Sequence, residues 1–292
     1  APSLAATTLV PSLTNVNTPN YIFSSNEAGT ITYGGNCSSS TTAAAADNNT
    51  ITFNALGDAQ HANCNITVRD NAGNTSSTLD VNSFTIDTTA PSLGQVTAVS
   101  TPDNDSTPSY TFSSTEAGVI TYSGGCGSSS SSATSGNNTV ILTQSDNSTA
   151  LSDATYNCTI RVTDNASNTS IALSVTQFVI DTTGPTVAEV TAVANPGNDT
   201  TPRYIFSSNE AGTITYGGSC SSSTSAASAS SNNTIDFNTL SVATYGDCTI
   251  RVTDGAGNPS NLLMVSSFTI ETTAPTVSSI YPTDNLSGIS IS

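Results

Sequence analysis

One order of signals runs through this chain three times, which restricts it to folds that close within about ninety residues. Asp87-Thr88-Thr89-Ala90-Pro91 returns as Asp181-Thr182-Thr183-Gly184-Pro185 and as Glu271-Thr272-Thr273-Ala274-Pro275, and Ala1-Pro2 stands one period before the first. Between these marks come a Thr-Pro, an aromatic segment, Glu-Ala-Gly, a cysteine, a Ser/Ala tract, a second cysteine and an Asp-x-Ala-x-Asn turn. Such a period is too long for a solenoid unit and suits one small β-domain. The chain therefore reads as three domains, 1–89, 90–183 and 184–273, with 274–292 as the opening strand of a further domain or an assembly tail.

The second repeat shows the expected strands: Val96 to Val99, Ser109 to Ser114, Val119 to Ser123, Val140 to Leu142, Tyr156 to Thr163 and Ser170 to Ile180. Six or seven short strands with turn signals between them and no helical period indicate an all-β fold, an antiparallel sandwich of the immunoglobulin type. Cys158, Ile160 and Val162 alternate with Thr159, Arg161 and Thr163, so the first set faces inward. The same parity turns Cys64, Ile66 and Val68 inward and Arg69 outward. Ile31, Tyr33, Gly35 and Cys37 share a spacing of two, which predicts that Cys37 lies on the inward face of Tyr33. Trp is absent, and Tyr33, Tyr122 and Tyr216 are expected to fill part of the core.

The six cysteines fall two per repeat, and this predicts Cys37–Cys64, Cys126–Cys158 and Cys220–Cys248 within an oxidising compartment. In sandwich terms each bridge links strand C to strand F. No CxxC or histidine cluster supports zinc. Tyr156 and Tyr245 stand two and three residues before their cysteines, as in a tyrosine corner, and the single histidine, His61, takes that place in the first repeat. Without a nucleophile or acid partner it does not support hydrolysis.

Acidic residues number 21 against 4 basic ones, a net charge of −17, so nucleic acid and anionic membranes are poor partners and divalent cations better ones. The basic residues are Arg69, Arg161, Arg203 and Arg251; with no lysine, isopeptide crosslinks and Schiff bases within the chain are excluded. No apolar run reaches the roughly 20 residues of a membrane helix, and no signal segment opens the chain, so membrane insertion is not expected here. The segment reads as part of a longer exported protein. Tracts such as Ser38 to Ala46 are expected to form solvated loops or weak edge strands, open to O-glycans, with sequons at Asn48-Asn49-Thr50 and Asn137-Asn138-Thr139 beside them.

The boundary motifs, the Ser24 to Gly29 loop and the Val68 to Asn74 turn together resemble bacterial Ig-like repeats, the modules of large surface adhesins. Residues 274–292, with Ile280-Tyr281-Pro282-Thr283-Asp284-Asn285, resemble the start of an Ig-like domain of the surface-layer type. The resemblance implies an extracellular, cell-surface location, with further domains of the same protein as neighbours.

In a sandwich, the incoming linker, the BC loop and the FG loop meet at one pole. That gathers Asp87, Glu116 and Asp164 for the second repeat, and Asp181, Glu210 and Asp254 for the third, with Asp103 and Asp105 of the AB loop beside the latter. Ca²⁺ takes six to eight oxygens from flexible loops, so these are candidate Ca²⁺ ligands at interdomain junctions. The resemblance implies the same, since similar adhesin repeats use interdomain calcium. The competing reading is that Asp-x-Ala-Gly-Asn is a turn in which Asp70 bonds backbone amides and Gly73 takes positive φ. A glycosidase also needs two acids, but across a cleft, and neither the cleft nor an aromatic sugar platform is indicated.

The expected role is a non-enzymatic stalk or fibre segment of a cell-surface protein. A self-assembling filament or surface layer, with Thr276 to Ile280 or Ile289 to Ile291 adding a strand to a neighbouring copy, is an alternative. A module gripping surface glycans through its pole loops is another. Short linkers with φ held at proline imply domains placed end to end.

Overall fold

The computed structural model describes residues 1–277; the strand expectations for Thr276 to Ile280 and Ile289 to Ile291 extend or lie beyond them. The described chain is all β-structure and forms two compact units, Ala1–Asp181 and Thr182 onward. The first unit contains two hydrophobic cores, one in each of the first two repeats, and the second unit contains one.

Each core lies between two sheets. In the second repeat Leu93–Thr97, Ser109–Ser114 and Gly136–Ile141 make an antiparallel three-stranded sheet in that order. Ser132–Ala133, Gly118–Ser123, Thr159–Thr163 and Leu173–Ser174 make the facing four-stranded sheet. The same two sheets recur in the first and third repeats. Tyr110 and Phe112 from one sheet meet Ile120, Ile160 and Val162 from the other, and all five are buried. Each large side chain so enclosed contributes about 1.5 to 3 kcal/mol. This is an Ig-like antiparallel sandwich, reached by strict alternation along the inward faces.

The expected strands need four adjustments. The first begins at Leu93 and ends at Thr97 rather than Val99, because the chain bulges between Gln95 and Thr97 and leaves the sheet. The strand around Val140 starts earlier, at Gly136, where polar residues pair with Ser109–Ser114. Tyr156 to Thr163 is two strands: Ala154–Tyr156 pairs with Phe178–Ile180, whereas Thr159–Thr163 pairs with Gly118–Ser123. Ser170 to Ile180 divides in the same way, into Leu173–Ser174 and Phe178–Ile180. At these corners the chain passes between a separate two-stranded sheet and the four-stranded one while burial keeps its period of two, with Tyr156, Cys158 and Ile160 all buried.

The disulfides Cys37–Cys64, Cys126–Cys158 and Cys220–Cys248 join positions whose Cα atoms lie 5.2, 5.6 and 5.2 Å apart, and no described cysteine is free. Cys37 does not continue the face of Tyr33. Its strand ends at Gly34, and Gly35 turns the chain at φ 74°, where a Cβ would fall 1.9 Å from the Asn63 carbonyl oxygen. Only glycine accepts both that conformation and that approach.

The core tyrosines are Tyr21, Tyr110 and Tyr204, each fully buried; Tyr33, Tyr122 and Tyr216 pack only partly against the cores. The hydroxyls of the latter three donate to the carbonyls of Thr41, Ser130 and Thr224 at 2.5, 2.7 and 2.6 Å, so they pin the Ser/Ala tract against the sheet. Within that tract Ala43–Ala44 forms a two-residue edge strand.

The corner residues repeat one geometry with two chemistries. Tyr156 and Tyr245 donate to the carbonyls of Ser152 and Ser241, both at 3.0 Å, and stack on Phe178 and Phe268. His61 places Nε2 3.1 Å from the Gly57 carbonyl oxygen and stacks on Phe84 at 5.3 Å. The contact needs a proton on Nε2, so a neutral ring leaves Nδ1 buried without a partner. The histidine thus does a tyrosine's structural work.

Candidate functional site

The Glu116 loop is shaped by a buried serine. The Ser114 hydroxyl donates to the Glu116 carbonyl at 2.6 Å and accepts from its N–H at 3.3 Å, which holds the turn between Ser109–Ser114 and Gly118–Ser123. Ser25 and Ser208 hold the carbonyls of Glu27 and Glu210 in the same way. These contacts engage the main chain of the glutamate and not its carboxylate.

Asp164 is anchored by its own turn. Its two carboxylate oxygens accept the N–H and the side-chain amide of Asn168 at 2.8 and 3.0 Å, while the same amide donates to the Asp87 carbonyl at 2.8 Å. Asn168 therefore binds the linker to the turn. In the first repeat Asp70 makes the equivalent pair of bonds with Asn74, both 2.8 Å. Asp254 accepts from the N–H groups of Ala256, Gly257 and Asn258. Turn capping by this aspartate therefore occurs in every repeat.

What the second repeat adds is convergence. Asp87 and Glu116, half-buried, and Asp164, buried, each offer a carboxylate oxygen within 4.8 Å of the others. Burial, and then the like charges of Asp87 and Asp164, push the Glu116 carboxyl above its ordinary range. Three hard oxygen donors with no thiolate or imidazole among them suit Ca²⁺ rather than zinc. Asp181 lies at the end of the first unit, its N–H donating to the Asp103 carbonyl at 2.9 Å, while Glu210 and Asp254 belong to the second unit. Glu210 and Asp254 hold in the third repeat the places of Glu116 and Asp164. Asp103 and Asp105 use their carboxylates within the AB loop: Asp103 accepts from the N–H of Asp105 at 3.0 Å, and Asp105 from the N–H and hydroxyl of Thr107.

Asp58 falls in none of the recurring loop motifs; its counterparts are Asp153 and Val242, so the aspartate recurs in the second repeat and is absent from the third. The Asp58 carboxylate accepts the Thr88 N–H and the Thr88 and Thr89 hydroxyls at 3.1, 2.8 and 2.9 Å, and these bonds hold its pKa below the usual range. The linker thus faces two ways: Asp87 joins the second repeat, and its threonines bind back to the first.

The Asp164 turn contains one misfit. Gly73 and Gly257 take φ values of 90° and 96°, and at the same place Ser167 is held at 75°. A side chain there costs about 1 kcal/mol or somewhat more. Ser167→Gly is expected to stabilise the second repeat by about 1 kcal/mol, or roughly 4 to 8 °C in its melting transition. Calorimetry of the variant decides this, and a lower transition temperature would refute the expected strain.

A surface recess of about 450 Å³ lined by Ala90, Pro91, Leu93, Ile171 and Leu173, among others, holds no carboxylate or imidazole. Among the described residues no helix is long and apolar enough to cross a membrane.

The sequence matches no protein-family model and no curated protein. Among solved structures, it is similar to the D00–D0 domain of intimin (TM-score 0.31, 12% identity, covering 60% of this chain and 98% of that one). It is also similar to invasin, a bacterial integrin-binding protein (0.33, 11%, 93% and 60%). A third similar structure is that of the fibronectin(III)-like modules of Clostridium thermocellum CbhA (0.31, 11%, 60% and 94%). Likeness at this level carries no argument about role, and the fold assignment stands on the chain's own sheets and cores.

Proposed function

We propose that this chain is an extracellular stalk or fibre segment of a larger cell-surface protein, without catalytic activity, whose neighbours are further domains of that protein. The observation that carries the reading is the self-sufficiency of each repeat: three separate cores, each with one internal disulfide. Domains that close individually and are joined by short Thr-Thr-Ala/Gly-Pro linkers suit a spacer, and disulfides suit an oxidising exterior.

We further propose Ca²⁺ as the ligand of the Asp87, Glu116 and Asp164 group, where it would neutralise three converging charges and tie the linker to the second repeat. By repeat equivalence, Asp181, Glu210 and Asp254 are the proposed corresponding set, with Asp103 and Asp105 of the AB loop as additional acids. The ion would act structurally, as a stiffener.

Small-angle scattering tests the stalk reading. Strands of up to 6 residues at roughly 3.3 Å each make about 20 Å, and the loops at the two poles roughly double that, so an end-to-end chain should have a maximum dimension of order 120 Å. A globular profile would overturn it. Concentration-dependent growth of the particle would favour the filament, and saturable binding to a defined sugar the glycan module.

A further inference from the structure

We infer that Asp58 is the residue that fastens the outgoing linker of the first repeat, and that the third repeat, which lacks it, leaves its own outgoing linker unfastened. The inference rests on the stalk reading for its significance, but its geometry and its test do not.

Asp58 stands at the start of Ala59–His61, which pairs antiparallel with the last strand of the repeat, Phe84–Ile86. The last matched pair is Ala59 with Ile86, so the next residues along each strand are Asp58 on one side and Asp87 on the other. Beyond the ladder, the side chain of Asp58 takes over from the backbone by accepting the three bonds from Thr88 and Thr89. A short carboxylate that accepts one N–H and two hydroxyls fixes the direction in which the chain leaves, as an N-cap fixes the entry to a helix. The Thr89 N–H is held in turn by Asp87, at 3.2 Å. This accounts for two adjacent threonines in the boundary motif: both hydroxyls have the same acceptor.

The third repeat preserves the strand pairing and both threonines, but Glu271 stands in place of Asp87 and Val242 in place of Asp58. Ala243–Tyr245 pairs with Phe268–Ile270, and its last pair is Ala243 with Ile270. The preceding residue is Val242, 58% exposed, which has no side-chain oxygen to offer Thr272 or Thr273. Both of these threonines are exposed. The donors are present and the carboxylate is missing.

Backbone ¹⁵N order parameters of the full chain test this. The expected values are about 0.85 at Thr88 and Thr89 and below about 0.6 at Thr272 and Thr273. Asp58→Ala should lower Thr88 and Thr89 toward the values at Thr272 and Thr273. Val242→Asp should raise Thr272 and Thr273, and this gain does not depend on the stability of the Asp58 variant. Equal order at the two linkers in the native chain would overturn the inference, as would no response to either substitution. These values are independent of the overall shape, so a compact scattering profile combined with the expected order parameters would reject the stalk while leaving the fastening intact.

Discussion

Replacing Cys126 and Cys158 together by alanine is expected to cost the second repeat about 3 to 4 kcal/mol, the loop entropy that a bridge of this span withholds from the unfolded chain. The crosslink encloses the Ser/Ala tract, whose residues bury little: of Ser128 to Gly136 only Ser128 and Ala133 are buried. The loop therefore gains few contacts in return for being ordered, and the bridge supplies what packing does not. For a domain with a stability of roughly 5 to 10 kcal/mol the loss is severe, and the repeat's transition should fall by roughly 15 to 25 °C. The other two repeats have their own cores and bridges, so in calorimetry their transitions should stay in place. A double variant with an unchanged transition would show that the bridge adds nothing beyond the hydrogen-bonded pairing of Ser123 with Thr159.

The second large effect is expected from calcium. Saturating Ca²⁺ at a hundred times its dissociation constant would stabilise the second repeat by about 2.7 kcal/mol, and chelation would remove that gain. Glu116→Gln is the informative variant, since the buried Ser114 hydroxyl grips the backbone of that loop and the side chain can change without loss of the turn. It should abolish most of the calcium response and leave the metal-free domain slightly more stable, because two carboxylates remain where three repelled. Without metal the pH dependence has a definite sign. A carboxyl whose folded pKa is raised binds its proton more tightly when folded, so ionised Glu116 destabilises the domain above that pKa. The penalty is relieved as pH falls through the folded pKa toward the unfolded value of about 4.3. A transition indifferent to Ca²⁺ in the native chain would leave Asp164 as a turn cap and nothing more.

Much of the fold was legible because alternation is local. The inward parity of Cys158, Ile160 and Val162, and that of Cys64, Ile66 and Val68, survives in the structure, with all six buried. The corner role of Tyr156, Tyr245 and His61 was legible as well, since in each unit the residue stands two or three places before the second cysteine. The glutamate and aspartate of the pole could be named because each falls in a recurring loop motif.

The sequence by itself therefore determined the inward parity of the strands around the second cysteines, where turns fall, and that each repeat has the means to close on itself. Only the tertiary structure decided which sheet each strand joins, because a chain that crosses at Asn157 from the Tyr156 strand to the Thr159 strand keeps the same period of two on both sides of the crossing. It also decided that Tyr110 is fully buried while Tyr122, in the facing sheet, packs only partly against the same core. The Asp58 fastening was hidden for a related reason. A carboxylate 30 residues from its threonines leaves no local period, and only the pairing of Ala59–His61 with Phe84–Ile86 brings the two together. Burial is written in nearest neighbours along the chain, whereas partners are chosen by contacts that exist only after the sheets have formed.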